Sequence, residues 1–342
     1  MRKVFSWSVL CTLSLLLFAC SDSSNKKSSG TITSKTENSD VEVKDLKLQL
    51  IDEFGPYQEN ITEDNKRLYR AYNRAMKLWD TPFHEVNIPT RYGNAHIIVT
   101  GPKSGKKLVL LHGLNATSTM WYPNIMELSK DFRVYSIDFL LDPSKSNYNE
   151  EAESLDAVML WHDDIFRKLK LDTFSLVGAS RGGWLAVNIA VGGKYAIEKL
   201  VLLSPAQTFT WMPHSTDMFK NIQYSFAPKR KKFREILSTL SSNVDNIDQS
   251  FIDLHFIATK NAKISKFMVQ MRPFSNEKFE SLSMPTLLLI GDDDLFNQEK
   301  SIEKARELIP NVETKKIKNA GHFLSIDQAN TVNRLMLEFL MK

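Results

Sequence analysis

Short apolar runs alternate with longer amphipathic stretches along most of this chain. Five of the runs are continuous and of strand length, as expected for strands buried on both faces of a sheet. Amphipathic stretches such as Ser154 to Lys170 and Arg181 to Val191 lie between them. The alternation predicts an α/β fold: a doubly wound, mostly parallel sheet with helices on both faces. The five runs are KLVLLHG (Lys107 to Gly113), FRVYSID (Phe132 to Asp138), FSLVG (Phe174 to Gly178), KLVLLSP (Lys199 to Pro205) and TLLLIGD (Thr286 to Asp292).

Two further segments complete the predicted domain. Before the first run, Glu63 to Trp79 has the pattern of a helix, and Phe83 to Gly101 contains two strand patterns around a turn at Tyr92 to Asn94. Such a short connection predicts antiparallel pairing. Residues 207–283 break the alternation, because this interval is too long for one crossover and lacks a clear buried strand. Its length predicts an inserted helical subdomain.

The N-terminal residues have the pattern of an export signal. Arg2 and Lys3 precede an apolar stretch that is short for a membrane span and ends at Cys20. The ending LFAC resembles the lipobox of bacterial lipoproteins, in which the chain is cut before the cysteine and the cysteine is acylated. Phe18 departs from the small or aliphatic residue usual there. We predict a signal peptide at residues 1–19 and a lipid anchor at Cys20 on the bacterial membrane, outside the cytoplasm. The alternative is a plain secreted protein.

The segment after Cys20 is polar and rich in serine. Because it has few bulky apolar residues to bury, residues 20–45 are predicted to be a lipidated cysteine followed by a flexible tether, and residues 46–342 the folded domain. Removal of the signal and acylation of Cys20 would leave no thiol for a disulfide. Removing Arg2 and Lys3 with the signal lowers the formal charge from +4 to +2, a balance that does not suggest nucleic acid as a partner.

Five of the six residues from Lys229 to Arg234, within the predicted inserted subdomain, are basic. The pattern is typical of a solvated helix face. A second interpretation is attraction to anionic lipid headgroups, if Cys20 holds the domain near a membrane. Nucleic-acid binding is the weakest interpretation, because no recognition motif accompanies these residues.

The segment GASRGG (Gly178 to Gly183) places small residues on both sides of Ser180, directly after a predicted buried strand. One interpretation is a strand-to-helix turn that happens to contain a hydroxyl group. The other is a nucleophile elbow, a strained turn that presents Ser180 to a substrate. An activated serine needs a base, a group that orients the base, and donors for an oxyanion. In doubly wound sheets such groups meet at the carboxyl ends of the strands.

Candidate partners for Ser180 follow other predicted strands. The turn GDDDLF contains Asp292, Asp293 and Asp294, and the loop NAGHFL near the C-terminus contains His322. Of the seven histidines only His322 follows the acidic turn, so a chain order of Ser, Asp, His leaves it as the candidate base. The sequence LHG ends another strand, and the loop after its glycine can turn backbone N–H groups toward the site.

The motifs HG, GASRGG, GDDD and AGH, in this order, resemble the α/β-hydrolase superfamily in its serine carboxylesterase and lipase-like branch. The resemblance spans about Phe83 to Lys342. It implies Ser180 as the nucleophile, His322 as the base, and an oxyanion hole made by the backbone N–H groups of Leu114 and Arg181. It places the cap at residues 207–283.

The same resemblance implies an acid in the turn after Gly291. Relatives show a G-x-x-D spacing there, which selects Asp294, with Asp293 as the second choice. We predict no cofactor and no metal ligand. Many relatives have a D-x-x-G-x-G loop where this chain has DFLLDPSKS, so the substrate class is not transferred from them.

The predicted reaction is hydrolysis of a small-molecule carboxylic ester through an acyl-enzyme intermediate. Peptidase, thioesterase and carbon–carbon bond hydrolase activities on the same fold stay open, and so does a non-catalytic surface lipoprotein that only binds. Apolar cap residues such as Trp211 and Phe219 are predicted to gate the pocket. The physiological ester and the oligomeric state are left open by the sequence.

Overall fold

Eight strands form one sheet at the centre of the molecule. Their order across the sheet is β1-β2-β4-β3-β5-β6-β7-β8, numbered along the chain. The second strand pairs antiparallel with the first and the fourth, and the other neighbouring strands are parallel. The α/β fold predicted from the sequence is confirmed. The strands are β1 (Phe83–Thr90), β2 (Gly93–Thr100), β3 (Lys106–Leu111), β4 (Phe132–Ile137), β5 (Thr173–Ala179), β6 (Ala196–Leu203), β7 (Thr286–Gly291) and β8 (Val312–Ile317).

The computed structural model describes residues 54–55, 57–263 and 265–342. The predicted signal peptide, Cys20 and the tether to residue 45 lie outside the described residues. No helix within those described ranges is both long and apolar enough to span a membrane. The α-helices are α1 (Lys66–Ala75), α2 (Ile125–Leu128), α3 (Leu155–Lys168), α4 (Arg181–Val191), α5 (Thr216–Phe226), α6 (Arg230–Leu237), α7 (Gln249–Asn261), α8 (Lys266–Gln270), α9 (Asn276–Glu280), α10 (Glu299–Leu308), α11 (Leu324–Asp327) and α12 (Ala329–Leu340).

The burial of the strands follows their sequence pattern. All six residues of β7 are buried, as its continuous apolar run predicts. Strand β8 lies at the edge of the sheet and alternates exposed and partly buried positions, which is why it lacks such a run. Helix α4 packs against β3, β5 and β6, and α3 packs against β1. The first hairpin turns at Arg91 and Tyr92, with Thr90 opposite Gly93, one residue earlier than predicted.

Helices α5 to α9 lie between β6 and β7, within residues 207–283. Helices α5, α6 and α7 share a small apolar cluster that is separate from the main core. The rings of Tyr224 on α5 and Phe233 on α6 stack at 6.1 Å within it. Helix α7 also packs against α1, so it joins this cluster to the beginning of the described chain.

Candidate active site

Ser180 lies in the turn that joins β5 directly to α4. Its backbone has φ 52° and ψ −119°, a conformation that costs energy for any residue with a Cβ. Its N–H donates to the carbonyl oxygen of Leu203 on β6 at 2.9 Å, and its own carbonyl accepts the N–H of Gly183 at 3.0 Å. The neighbouring strand and the helix therefore hold this strained turn from both sides.

Two glycines of the GASRGG segment are required by close packing. A Cβ on Gly182 would lie 2.1 Å from the carbonyl oxygen of Leu111 at the end of β3. A Cβ on Gly178 would lie 2.3 Å from the carbonyl oxygen of Gly182. Real Cβ atoms do not approach backbone oxygen this closely, so the small residues allow α4 to begin against the end of β3 and present the serine there.

His322 contacts both Ser180 and Asp294. It lies in the loop between β8 and α11, with Nε2 2.8 Å from Ser180 Oγ and Nδ1 2.9 Å from Asp294 Oδ1. A carboxylate can only accept, so the Nδ1–H of His322 donates to Asp294. Nε2 is then left with a lone pair that accepts the hydroxyl hydrogen of Ser180. The three side chains form one chain of hydrogen bonds.

The environment of Asp294 keeps its carboxyl group ionised. The side chain is fully buried. Its Oδ1 also accepts the N–H of Phe296, and its Oδ2 accepts the side-chain amide of Asn297, both at 2.9 Å. Burial acts to raise the pKa of Asp294, but the electrostatic interaction with His322 and the hydrogen bonds from His322 and Phe296 outweigh it and hold the pKa below its ordinary value.

The other two aspartates of this turn lie apart from His322. The side chains of Asp292 and Asp293 are exposed. Asp292 Oδ1 accepts the N–H of Ala320 at 3.1 Å, a contact that ties the acidic turn to the histidine loop. Asp294 is therefore the carboxylate that the structure brings to the imidazole.

The loop after β3 lies over the serine. A Cβ on Gly113 would be 3.4 Å from Ser180 Cβ, and both residues line the same cavity, so this loop lies close to Ser180. Within the described residues, the backbone N–H groups of Leu114 and Arg181 donate to no protein acceptor. Arg181 is the first residue of α4, where a helix leaves its N–H groups unpaired. His112 supports the loop: its Nδ1–H donates to the Gly113 carbonyl at 2.6 Å and its Nε2 accepts the Phe139 N–H at 2.9 Å.

Sequence reasoning missed the side-chain partner of Arg181. Asp142 accepts two hydrogen bonds from the Arg181 guanidinium, at 2.5 and 2.7 Å. Asp142 Oδ2 also accepts the N–H of Asn115 at 2.8 Å. The carboxylate therefore connects the helix that begins after Ser180 with the loop that contains Leu114. The available sign was the loop DFLLDPSKS, where Asp142 stands in place of the glycine-rich pattern of many relatives.

A small apolar cavity of about 10 Å³ adjoins Ser180, enough for about one water molecule. Phe251 on α7 is the cap residue that lines it. Trp211 and Phe219, predicted as gating residues, do not line it and are 50% and 60% exposed. His255 lies one turn after Phe251 and is buried, with ring centroids 5.3 Å apart. The apolar side chains that line the cavity are Leu114, Ala116, Met120, Ala179, Phe251, Phe323, Leu324 and Ile326.

The described residues contain no group of three side chains placed to hold a metal ion.

The family model for the alpha/beta hydrolase fold matches residues 106–329, which include every residue of the site. The chain belongs to the α/β-hydrolase family. As a member of this family it is a hydrolase.

The relatives of this hydrolase include carboxylesterases of Bacillus subtilis. The chain is 31% identical to carboxylesterase YbfK over 294 residues, 81% of this chain and 95% of that protein. Its fold is similar to the crystal structure of naproxen esterase from the same organism, with a TM-score of 0.76 and 28% identity over 82% of this chain and all of the other. The crystal structure of carboxylesterase CesB (YbfK) has a TM-score of 0.71 and 29% identity, over 82% of this chain and 99% of that one.

Proposed function

We propose that this hydrolase cleaves carboxylic esters through an acyl-enzyme intermediate formed on Ser180. The hydrogen-bonded chain from Ser180 Oγ through His322 to the buried carboxylate of Asp294 is the observation that supports this most strongly. Each partner has the acceptor or donor that acyl transfer requires of it. The similarity to carboxylesterases favours esters over the peptide, thioester and carbon–carbon substrates that the fold also accommodates.

In the first half of the proposed reaction, Ser180 Oγ attacks the ester carbonyl carbon. His322 Nε2 removes the hydroxyl proton as the new C–O bond forms, and Asp294 stabilises the imidazolium and keeps its orientation. The negative charge that develops on the carbonyl oxygen is stabilised by the backbone N–H groups of Leu114 and Arg181. His322 then gives its proton to the leaving alcohol oxygen, and the acyl group remains on Ser180.

In the second half, water replaces the alcohol. His322 removes a proton from the water, whose oxygen attacks the acyl carbon, and the proton then passes to Ser180 Oγ as the acid leaves. The cavity beside Ser180 has mostly apolar walls and must widen to admit an acyl group, so we expect an acyl group that is apolar and short.

A panel of p-nitrophenyl esters of increasing acyl length tests this proposal. We expect turnover that falls with chain length and that disappears in Ser180→Ala. Ser325→Ala is the matched control, because it removes a hydroxyl from another residue that lines the same cavity. Wild-type turnover in Ser180→Ala, or no hydrolysis of any ester by the unaltered protein, would contradict the proposal.

We also propose that the protein is exported and anchored to the bacterial membrane through an acyl group on Cys20. The basic and apolar residues before Cys20 and the polar segment after it support this. We expect the unaltered protein in the membrane fraction and Cys20→Ala outside it. Release of the unaltered protein into the medium would instead indicate a plain secreted enzyme.

A further inference from the structure

Helices α1, α6 and α7 border a surface groove of about 350 Å³, called the basic groove below. It lies away from the cavity at Ser180 and shares no lining residue with it. Its cations are Lys66, Arg67, Arg70 and Arg74 on α1 and Arg230 on α6, against the single carboxylate of Asp253 on α7.

The three arginines on α1 lie on one face of the helix, at spacings of three and four residues. Their side chains are exposed, and none forms an ion pair within the described chain. Lys66 pairs with Glu63, and Arg230 pairs with Asp253, whose charges are therefore already matched. The unmatched charge of the basic groove thus comes from Arg67, Arg70 and Arg74.

This charge distribution is unfavourable for the isolated helix. Helix α1 contains no acidic residue, and like charges three and four positions apart repel one another. Lys66 and Arg67 also lie at the N-terminus, where the helix dipole favours negative charge. Within the described residues no acidic side chain offsets the repulsion among Arg67, Arg70 and Arg74, whereas a bound external anion would offset it.

The groove continues into a second group of cations. Lys229, Lys231 and Lys232 flank Arg230, are exposed, and form no ion pair in the described part of the chain. Phe226, three residues before Lys229, is 64% exposed. Exposed lysines beside an exposed aromatic ring are typical of surfaces that rest on a lipid headgroup layer.

We propose that the basic groove and these lysines dock the protein on an anionic phospholipid surface. Guanidinium groups bind phosphate through paired hydrogen bonds, and Arg67 to Arg74 span about 10 Å of helix, which suits several headgroups better than one small anion. Helix α1 also begins at Lys66, soon after the predicted tether ends at residue 45. The proposed anchor at Cys20 would therefore keep this face near the membrane.

Vesicle binding tests the proposal. The chain from Ser21 onward keeps every described residue and its contacts, and lacks both the apolar leader and Cys20. Its sedimentation is measured with phosphatidylcholine vesicles and with vesicles that also contain phosphatidylglycerol. We expect binding only to the anionic vesicles, weakened by salt. Each basic residue near such a surface strengthens partitioning about fivefold, so Arg67→Gln/Arg70→Gln/Arg74→Gln should weaken it about a hundredfold.

A control variant with three substitutions removes the same amount of charge from another part of the surface. Lys300, Lys315 and Lys318 are exposed on or beside α10 and β8, at the edge of the sheet opposite β1. Their replacement by glutamine should weaken binding by less than about threefold. Equal binding to both vesicle types, no binding to either, or equal losses in the two triples would overturn the proposal. Thermal unfolding shows that each variant is folded. All variants carry Ser180→Ala, so that the phospholipid esters are not hydrolysed. Sedimentation then reports binding alone, and failure here is distinct from failure of the proposed hydrolase.

Discussion

Arg181, the residue after Ser180, forms a bidentate ion pair with Asp142, and each side chain is only 2% exposed. The Arg181 guanidinium also lies 4.0 Å from the centre of the Phe139 ring. Two charges so far from solvent depend on each other, because a lone buried charge has neither water nor a partner. The pair therefore stabilises the junction between the serine elbow and the loop after β3.

The first prediction concerns this pair. Arg181→Met and Asp142→Leu should each lower the free energy of unfolding by about 3–5 kcal/mol, because each leaves one buried charge unpaired. The double variant should lose clearly less than the sum of the two, since it leaves no charge behind. Urea unfolding of the four proteins gives the coupling. Arg334→Met, which removes an exposed pair with Glu338, should cost less than about 1 kcal/mol. Additive losses would contradict the prediction.

The identity of the catalytic acid can be tested by substituting each of the three aspartates in the turn after β7. Asp294→Asn should lower turnover by about 10³ to 10⁴-fold, because an amide in place of the carboxylate favours the wrong imidazole tautomer. Asp293→Asn makes the same replacement of a carboxylate by an amide at an exposed position and should change turnover by less than about threefold. Asp292→Asn weakens only the contact with Ala320 and should cost less than about tenfold. Nearly normal turnover in Asp294→Asn, together with no turnover in Asp293→Asn, would show that Asp293 is the acid.

Phe251 is expected to limit the acyl group. Phe251→Leu removes ring volume from the cavity wall and should raise the relative kcat/KM for the longer esters by about tenfold or more. Phe219→Leu is the matched control on the exposed face of the cap and should leave the preference unchanged. An unchanged preference in Phe251→Leu, or an equal change in Phe219→Leu, would show that the cavity does not select the acyl chain.

The buried imidazole of His162 should make the folded protein less stable at acid pH. Burial lowers its pKa to about 4, and its Nδ1–H donates to the Val158 carbonyl at 2.8 Å. The unfolded chain takes up the proton near pH 6.5 and the folded protein does not, so stability is complete above this pH and falls as the pH drops toward about 4. The contribution lost between pH 7 and pH 5 should be about 2 kcal/mol.

His162→Phe removes the titrating group and should reduce the acid-dependent loss by that amount. Denaturant unfolding of both proteins at several pH values measures the difference. Parallel curves for the two proteins would show that His162 does not titrate differently in the folded and unfolded states.

The predictable parts of the fold are those set by local pattern. Strands β3 to β7 are mostly apolar because both faces are buried over most of their length, and the predicted runs match them to within a few residues. Strand β8 was harder to recognise, since an edge strand exposes half of its residues. The tight turn at Ser180 could be recognised because Gly178 and Gly182 have no room for a Cβ.

The remaining features depend on tertiary packing. Asp142 and Arg181 are 39 residues apart, and nothing local indicates that the loop after β4 turns back onto α4. The choice of Phe251 over Phe219 depends on which face α7 and α5 turn toward the sheet. Three adjacent aspartates have the same chemistry, so only the family spacing favoured Asp294.

Reaction with a fluorophosphonate tests the central claim, that His322 and Asp294 activate Ser180, most directly. Such a probe phosphonylates a serine only when a base removes its proton, and it needs no knowledge of the physiological ester. We predict one labelled residue, mapped by mass spectrometry to Ser180, with labelling absent in Ser180→Ala and slower by on the order of 10³-fold in His322→Ala. Labelling at another residue, or equal rates in the unaltered protein and His322→Ala, would contradict the account.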